Sequence, residues 1–363
     1  MAETTTHLEI DRKDYSRTRL RQEPLGDLRR GQVRFRIERF ALTANNVTYA
    51  VVGDMLGYWG FFPTRDGWGR VPAMGWAAVV DSAHPEVRAG ARYYGWFPMS
   101  QNVDMGVSPT SDGLRDEGEH RAGHAPVYRS YTATDRDPLY QGGADAEDRH
   151  ALLRGLFLTA FLADDFLGEK GYYGATRLIV LSASSKTAIG LAQRASKRGL
   201  AEVVGATSRA NVDFLRSLGW YDRVVAYDEI GSIPVDGDAV SVDMAGNGAV
   251  LERVHAHFGN GLKYSMAIGM SHHEAARGAP PSVGPTPEMF FAPTQASKRL
   301  QEWGAAKYRE LMVGALHEFV GASASWLQLE RVYGSEAVRG AWSRTLAGQV
   351  PPNIGLIPSM WER

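Results

Sequence analysis

RLIVLSASSKTAIGLAQRASKRG, residues 177–199, is the stretch from which the fold can be read. Arg177 to Ser182 is apolar and partly β-branched, which predicts a strand, and LAQRASKRG carries its apolar residues at helical spacing. The segment between them, SASSKTAIG (182–190), is a strand-to-helix turn. In a doubly wound sheet that turn holds nucleotide phosphates on N–H groups at a helix N-terminus. Of a G-x-G-x-x-G spacing only Gly190 stands, with Ser185 and Thr187 at the first two glycine positions. Ser184, Ser185 and Thr187 offer hydroxyl donors, Lys186 offers charge, and Ala188 with Gly190 permits close helix-to-sheet packing. The Lys-Thr pair also suits a G-x-x-x-x-G-K-[ST] phosphate loop, but the glycines of that loop are missing.

The next strand refines the expectation. An enzyme that binds NAD carries Asp or Glu where EVVGATSRAN (202–211) has Thr207, Ser208 and Arg209, and hydroxyls with an arginine suit a 2′-phosphate. The cofactor expected is NADPH. Asp243 in VSVDMAGN ends a predicted parallel strand at the ligand-binding edge, with Gly246 and Asn247 beside it. A domain that keeps this fold and binds no nucleotide remains the alternative.

Outward from this unit, the pattern changes at His150. ALLRGLFLTAFLADDFLGEKG (151–171) predicts a helix that opens a domain in which strands and helices alternate, and such alternation makes βαβ units and a parallel sheet. From Gln32 to Pro98 the sequence reads as strands of a β-barrel-like domain punctuated by glycines. Residues 101–149 are polar and weakly periodic and read as surface or linker. The tail from Trp326 mixes a strand, a helix and a last apolar GLIP.

A length of 363 residues favours two domains. With 40 basic and 41 acidic residues the net charge is −1, which offers nucleic acid no basic field. The polar N-terminus and the lack of a long apolar run predict a soluble, cytoplasmic protein with no membrane partner. Cysteine is absent, which excludes disulfides, thiolate zinc sites and a cysteine nucleophile. A small-molecule substrate is the expected partner.

The collinear order of these segments resembles the medium-chain dehydrogenase/reductase superfamily, in its zinc-free quinone oxidoreductase and enoyl reductase branch. Residues 177–229 resemble that family's strand, glycine turn, helix and second strand. GWAAVVDSAHPEVRAGARYYGWFPM (75–99) is similar to its G-D-R-V segment, with GARY in place of GDRV. FALTANNVTYAVVGDMLGYW (40–59) is similar to a substrate-facing stretch, LFLTAF (156–161) to the region beside the nicotinamide, and 329–357 to the family's closing run. Most closely, the chain resembles the DUF2855 family, whose name records an unassigned function. The resemblance implies an α/β chain: a GroES-like β-barrel catalytic domain over 1–149, a Rossmann domain with a doubly wound parallel sheet over 150–320, and a return to the catalytic domain over 321–363. It also implies a homodimer, a cofactor contact from Thr159, and no metal.

Reduction needs a group to polarise a carbonyl and a proton source. ANNVTYAVVGDMLGYWGFFP (44–63) supplies Asn46 and Thr48 as orienting groups and Tyr49 or Tyr58 as proton donor, with Asn45 the family's collinear asparagine. Equally, these aromatics line the inside of a barrel and the asparagines fix a turn. Asp164 and Asp165 are adjacent on a helix and share no face, so one is expected to be exposed or capping. His120 and His124, and His272 with His273, do not match a metal motif; the latter pair follows a strand and suits a cleft mouth. Lys298 and Arg299 are candidates for a phosphate contact or a solvated helix face. The leading expectation is a zinc-independent NADPH-dependent reductase of a carbonyl or α,β-unsaturated carbonyl compound. A non-redox lyase or hydratase on the same fold, and a ligand-binding protein without turnover, stay open.

Overall fold

The computed structural model describes residues 3–268 and 281–363, so His272 and His273 lie outside the described residues. Two compact units emerge, one of residues 1–152 with 327–363 and one of residues 153–326.

The first unit begins with β1 (Thr4–Asp11) and β2 (Thr18–Pro24), an antiparallel pair that the charged N-terminal sequence conceals. Its charges pair across the sheet. Glu9, buried, takes Arg19 at 2.7 Å and Arg70 at 2.8 Å while Leu8 and Ile10 fill the core. β3 (Gln32–Phe40) follows, then α1 (Ala44–Val51), β4 (Trp68–Gly69), which completes the β1–β2 sheet, β5 (Pro72–Ser82), β6 (Arg92–Pro98), β7 (Asn102–Pro109), β8 (Gly113–Asp116), a short α2 (Pro126–Arg129) and β9 (Ser130–Ala133).

β3, β5, β6, β9, β8 and β7 close into a six-stranded barrel, so residues 101–149 contribute three of its strands and are not a linker. β8 and β9, four residues long, are too short to show a period, whereas in β7 Val103, Met105 and Val107 do alternate with Asp104, Gly106 and Ser108, a signal the polar surroundings obscure. Phe35, Phe97 and Tyr131 fill the barrel, with ring centroids 5.0–5.9 Å apart. Gly95 makes room for Tyr131, since a Cβ there would lie 2.3 Å from its ring.

α3 (Ala144–Glu169) leads into the second unit and starts six residues before His150. Its sheet comprises β10 (Arg177–Leu181), β11 (Glu202–Thr207), β12 (Arg223–Ala226), β13 (Ala239–Asp243), β14 (Leu262–Ala267) and β15 (Glu288–Met289). All pairs are parallel and the spatial order is β12-β11-β10-β13-β14-β15. Counted from β10 as the first strand, this is the 3-2-1-4-5-6 order of the Rossmann fold. The intervening helices are α4 (Lys186–Arg198), α5 (Val212–Leu218) and α6 (Gly248–Phe258), and α7 (Ala292–Ala322) follows the sheet, interrupted at Gly304 where φ is +77°. Each strand feeding a helix returns its apolar face to the sheet, where Ile179, Leu181, Val204, Ala206 and Val254 are buried together. Gly190 lets α4 approach its neighbours, its Cβ position lying 3.2 Å from Ala160 and Phe157.

The tail, β16 (Gln328–Tyr333), α8 (Ser335–Leu346) and β17 (Ile354–Ser359), rejoins the first unit, where the Leu42 N–H donates to the Leu356 carbonyl at 3.1 Å and Trp361 Nε1 to the Ile37 carbonyl at 2.8 Å. Among the described residues, no helix is long and apolar enough to cross a membrane.

Candidate functional site

In the second unit the sequence order reverses between β10 and β13, the crossing point where open α/β sheets bind ligands beyond their carboxyl ends. The 182–187 turn leaves β10 there. Ser182 takes a left-handed backbone, φ +52°, uncommon for a residue with a side chain, and its hydroxyl lies 3.3 Å from that of Tyr227. Ser185 is the N-cap of α4 and accepts the Ala188 N–H at 3.2 Å. Lys186 and Thr187 are the first two residues of α4, whose N–H groups have no carbonyl one turn earlier in the helix. Ser184 accepts from Thr207 Oγ1 at 3.2 Å and Asn211 Nδ2 at 3.1 Å, which leaves its own O–H to donate. Burial pushes the Lys186 ammonium down to about 8. Hydroxyls, N–H groups and one ammonium at a helix N-terminus form a donor set that fits an anionic diphosphate.

Asp243 ends β13 opposite Leu181 of β10. Its Oδ1 accepts the N–H groups of Ala245 and Gly246 at 3.0 and 3.1 Å, so the carboxylate shapes the 244–247 turn, and Asn247 caps α6. Thr207 is buried at the end of β11, while Ser208 and Arg209 are exposed just beyond it. The Arg209 guanidinium sits between Asp228, at 2.7 Å, and Glu229, at 3.0 Å. Thr159 turns its hydroxyl to the Gly155 carbonyl of its own helix at 3.4 Å.

The first unit holds a second cluster. Tyr49 and Tyr58 are buried with ring centroids 4.9 Å apart, and Tyr128, absent from the sequence reading, joins them with its hydroxyl 3.3 Å from that of Tyr58. Trp96 Nε1 donates to Tyr49 Oη at 3.2 Å. Burial raises the pKa of all three phenols, Tyr49 to about 12. Arg121, wholly buried against Phe61 and Phe62, bonds Asp116 at 3.1 Å and the Tyr128 carbonyl, which fixes the short helix α2 that carries Tyr128.

The predicted orienting groups fare differently. Residues 44–51 form a helix rather than a barrel strand, and Asn46 is its N3 residue: Oδ1 accepts the Thr43 N–H at 2.8 Å and Nδ2 donates to the Pro72 carbonyl at 2.9 Å. Both ends of that amide are engaged in fixing the turn. Thr48 and Asn45 are half-buried on the same helix.

Residues 40–351 match the family described as "Protein of unknown function (DUF2855)". The chain belongs to the DUF2855 family. A comparison with curated proteins finds no match. Among solved structures, this DUF2855 chain is similar to a putative NADPH:quinone reductase from Mesorhizobium loti, at 12% identity and a TM-score of 0.62 with 99% of each chain covered. It is similar to CurA from Vibrio vulnificus, at 12% identity, a TM-score of 0.58 and 98% coverage of each chain. It is also similar to Etr1p, solved with NADP and crotonyl-CoA, at 11% identity, a TM-score of 0.58, and 98% of this chain and 100% of that one. These likenesses establish the fold, a GroES-like barrel with a Rossmann sheet.

Other candidates in the DUF2855 chain have structural partners. Asp164 and Asp165 are both engaged, neither exposed nor capping: Asp164 pairs with Arg198 at 2.7 Å and Asp165 with Arg299 at 2.5 Å. Arg299 is consequently buried rather than on a solvated face, and Lys298 pairs with Glu169. Among the described residues no three His, Asp or Glu side chains lie together as a metal site would require.

Proposed function

We propose that the protein is a zinc-independent, NADPH-dependent reductase of a carbonyl or α,β-unsaturated carbonyl compound. The observation that carries this reading is the donor-lined turn 182–187 at the crossing point between β10 and β13. Structures of the same fold support it: CurA has been solved with NADPH, and Etr1p with NADP and crotonyl-CoA.

In this reading the N–H groups of Lys186 and Thr187 and the hydroxyls of Ser184 and Ser185 bind the diphosphate, and the Lys186 ammonium offsets its charge. Thr207, Ser208 and Arg209 recognise the 2′-phosphate. Asp243 holds the 244–247 turn for the nicotinamide end, where Thr159 is the further contact. Bound there, the nicotinamide supplies the hydride. The proton comes from the Tyr49, Tyr58 and Tyr128 group, and Thr48 helps to orient the carbonyl. Burial keeps each phenol protonated at neutral pH, the state a donor must occupy before the reaction. Tyr49, pushed up to about 12, remains a stronger acid than the alcohol or carbonyl α-carbon it would protonate.

Calorimetric titration with NADPH, followed by turnover of enones, quinones and ketones, tests this. Binding of NADPH and its oxidation by one of these classes is the expected result; failure to bind either dinucleotide overturns it.

A further inference from the structure

We propose that Asp228 sets the balance between the two nicotinamide dinucleotides by competing for Arg209. The inference rests on the dinucleotide reading of the α4 N-terminus. Thr207 of β11 pairs with Ala226 of β12, so Arg209 and Asp228, each two residues beyond, are neighbours past the same sheet edge. Arg209 Nη2 donates to Asp228 Oδ2 at 2.7 Å and Nη1 to Glu229 Oε1 at 3.0 Å. The two acids are not equivalent. Glu229 is tied to the preceding strand, its Oε2 accepting the Ala226 N–H at 3.1 Å, whereas the carboxylate of Asp228 has the guanidinium as its main partner, with its own backbone N–H and Arg253 nearby.

A 2′-phosphate that reaches Arg209 must draw the guanidinium away from Asp228 and then sit close to that carboxylate. The doubly negative phosphate loses on both counts. A free 2′-hydroxyl meets no such repulsion, and the Asp228 carboxylate can accept its hydrogen bond, the role an acid plays in NAD-binding sheets. Arg209 thus favours NADPH while Asp228 restrains that preference, and the protein accepts both dinucleotides. All three side chains are largely exposed, so the competition is an exposed ion pair, modest and screened by salt.

The test is calorimetric titration of the full chain with NADPH and NADH, at low and high salt, for wild type, Asp228→Asn and Asp228→Ser. Both variants should bind NADPH about three- to tenfold tighter at low salt, the gain shrinking at high salt, as expected of an exposed charge pair. Affinity for NADH should stay level or fall. In an Arg209→Gln background the gain from Asp228→Asn should fall to less than half. Weaker NADPH binding by the Asp228 variants would overturn the proposal, since Asp228 would then be aiming Arg209 at the phosphate. An unchanged NADPH-to-NADH ratio would overturn it too. A wild type that binds neither dinucleotide would instead remove the reading on which it rests.

Discussion

The hydroxyls of Tyr58 and Tyr128, 70 residues apart in sequence, lie 3.3 Å from each other. Burial raises both pKa values and that of Tyr49, to about 12. A phenol whose pKa is higher in the folded than in the unfolded state gives stability that is complete below the unfolded value, near 10, and lost as pH climbs towards the folded one. The thermal midpoint should therefore be insensitive to these phenols below about pH 10 and fall between about pH 10 and 12. Ultraviolet difference spectra should show their phenolate signal arriving with unfolding. Ionisation of all fifteen tyrosines before any loss of circular dichroism would contradict the buried network.

The second unit was legible because its strands are short apolar runs separated by helices of ordinary length, a pattern that makes right-handed βαβ units and a parallel sheet, although its strand order comes only from the structure. The barrel was half legible. β3, β5 and β6 carry apolar stretches that local pattern reveals, but β1 hides its core residues among paired charges, β2 has no buried residue at all, and β8 and β9 are too short to show a period. Site residues divide the same way. The 182–190 turn is contiguous and could be read directly, whereas Tyr128 and Asp228 acquire partners only through packing. Asn46 illustrates the converse: Thr43 and Asn46 have the spacing of a reciprocal helix cap, and that local role consumes the amide assigned to substrate.

Gly205, within β11, faces the Tyr221 ring. A Cβ there would lie 2.8 Å from the ring and 3.1 Å from Ala183 Cβ, and the ring is pinned because its hydroxyl donates to the Ala183 carbonyl at 2.7 Å. Gly205→Ala should cost about 1–3 kcal/mol, the usual range for overpacking a filled core. Chemical denaturation would measure it, and Tyr221→Phe, which frees the ring, should reduce the penalty. Full stability in Gly205→Ala would mean that the turn after β10 yields easily.

Asp164 is 1% exposed and bonds Arg198 through both oxygens, at 3.1 and 2.7 Å, and the Tyr172 hydroxyl at 3.2 Å. Arg198 is 30% exposed and can rehydrate if its partner is lost, whereas the carboxylate cannot. Arg198→Met should destabilise by up to about 3–5 kcal/mol, because it leaves the buried carboxylate with only the more distant Arg194, at 4.0 Å, and the Tyr172 hydroxyl, and Arg198→Met with Asp164→Leu should recover most of that loss. Equal costs for the single and double variants, measured by urea unfolding, would show that packing rather than charge holds the α3–α4 contact.

Lys186 gives the candidate site a pH signature. Burial pushes its ammonium down to about 8 in the free protein, so above that pH the amine is neutral and has no charge to offer a diphosphate. Binding an anion favours the ammonium and raises its pKa, which couples binding to proton uptake. The dissociation constant for NADPH should be flat below about pH 7 and rise above pH 8 by up to about tenfold per unit, the limit for one linked proton. Because an arginine stays charged throughout this range, Lys186→Arg should flatten the profile, and Lys186→Met should weaken NADPH and NADH alike by roughly tenfold. Arg209→Gln, by contrast, should weaken NADPH alone. Wild-type affinity that stays constant from about pH 7 to 9.5, where a linked proton would have to appear, would place the ammonium away from the phosphates and leave the hydroxyls of Ser184 and Ser185 with the α4 N–H groups as their ligands.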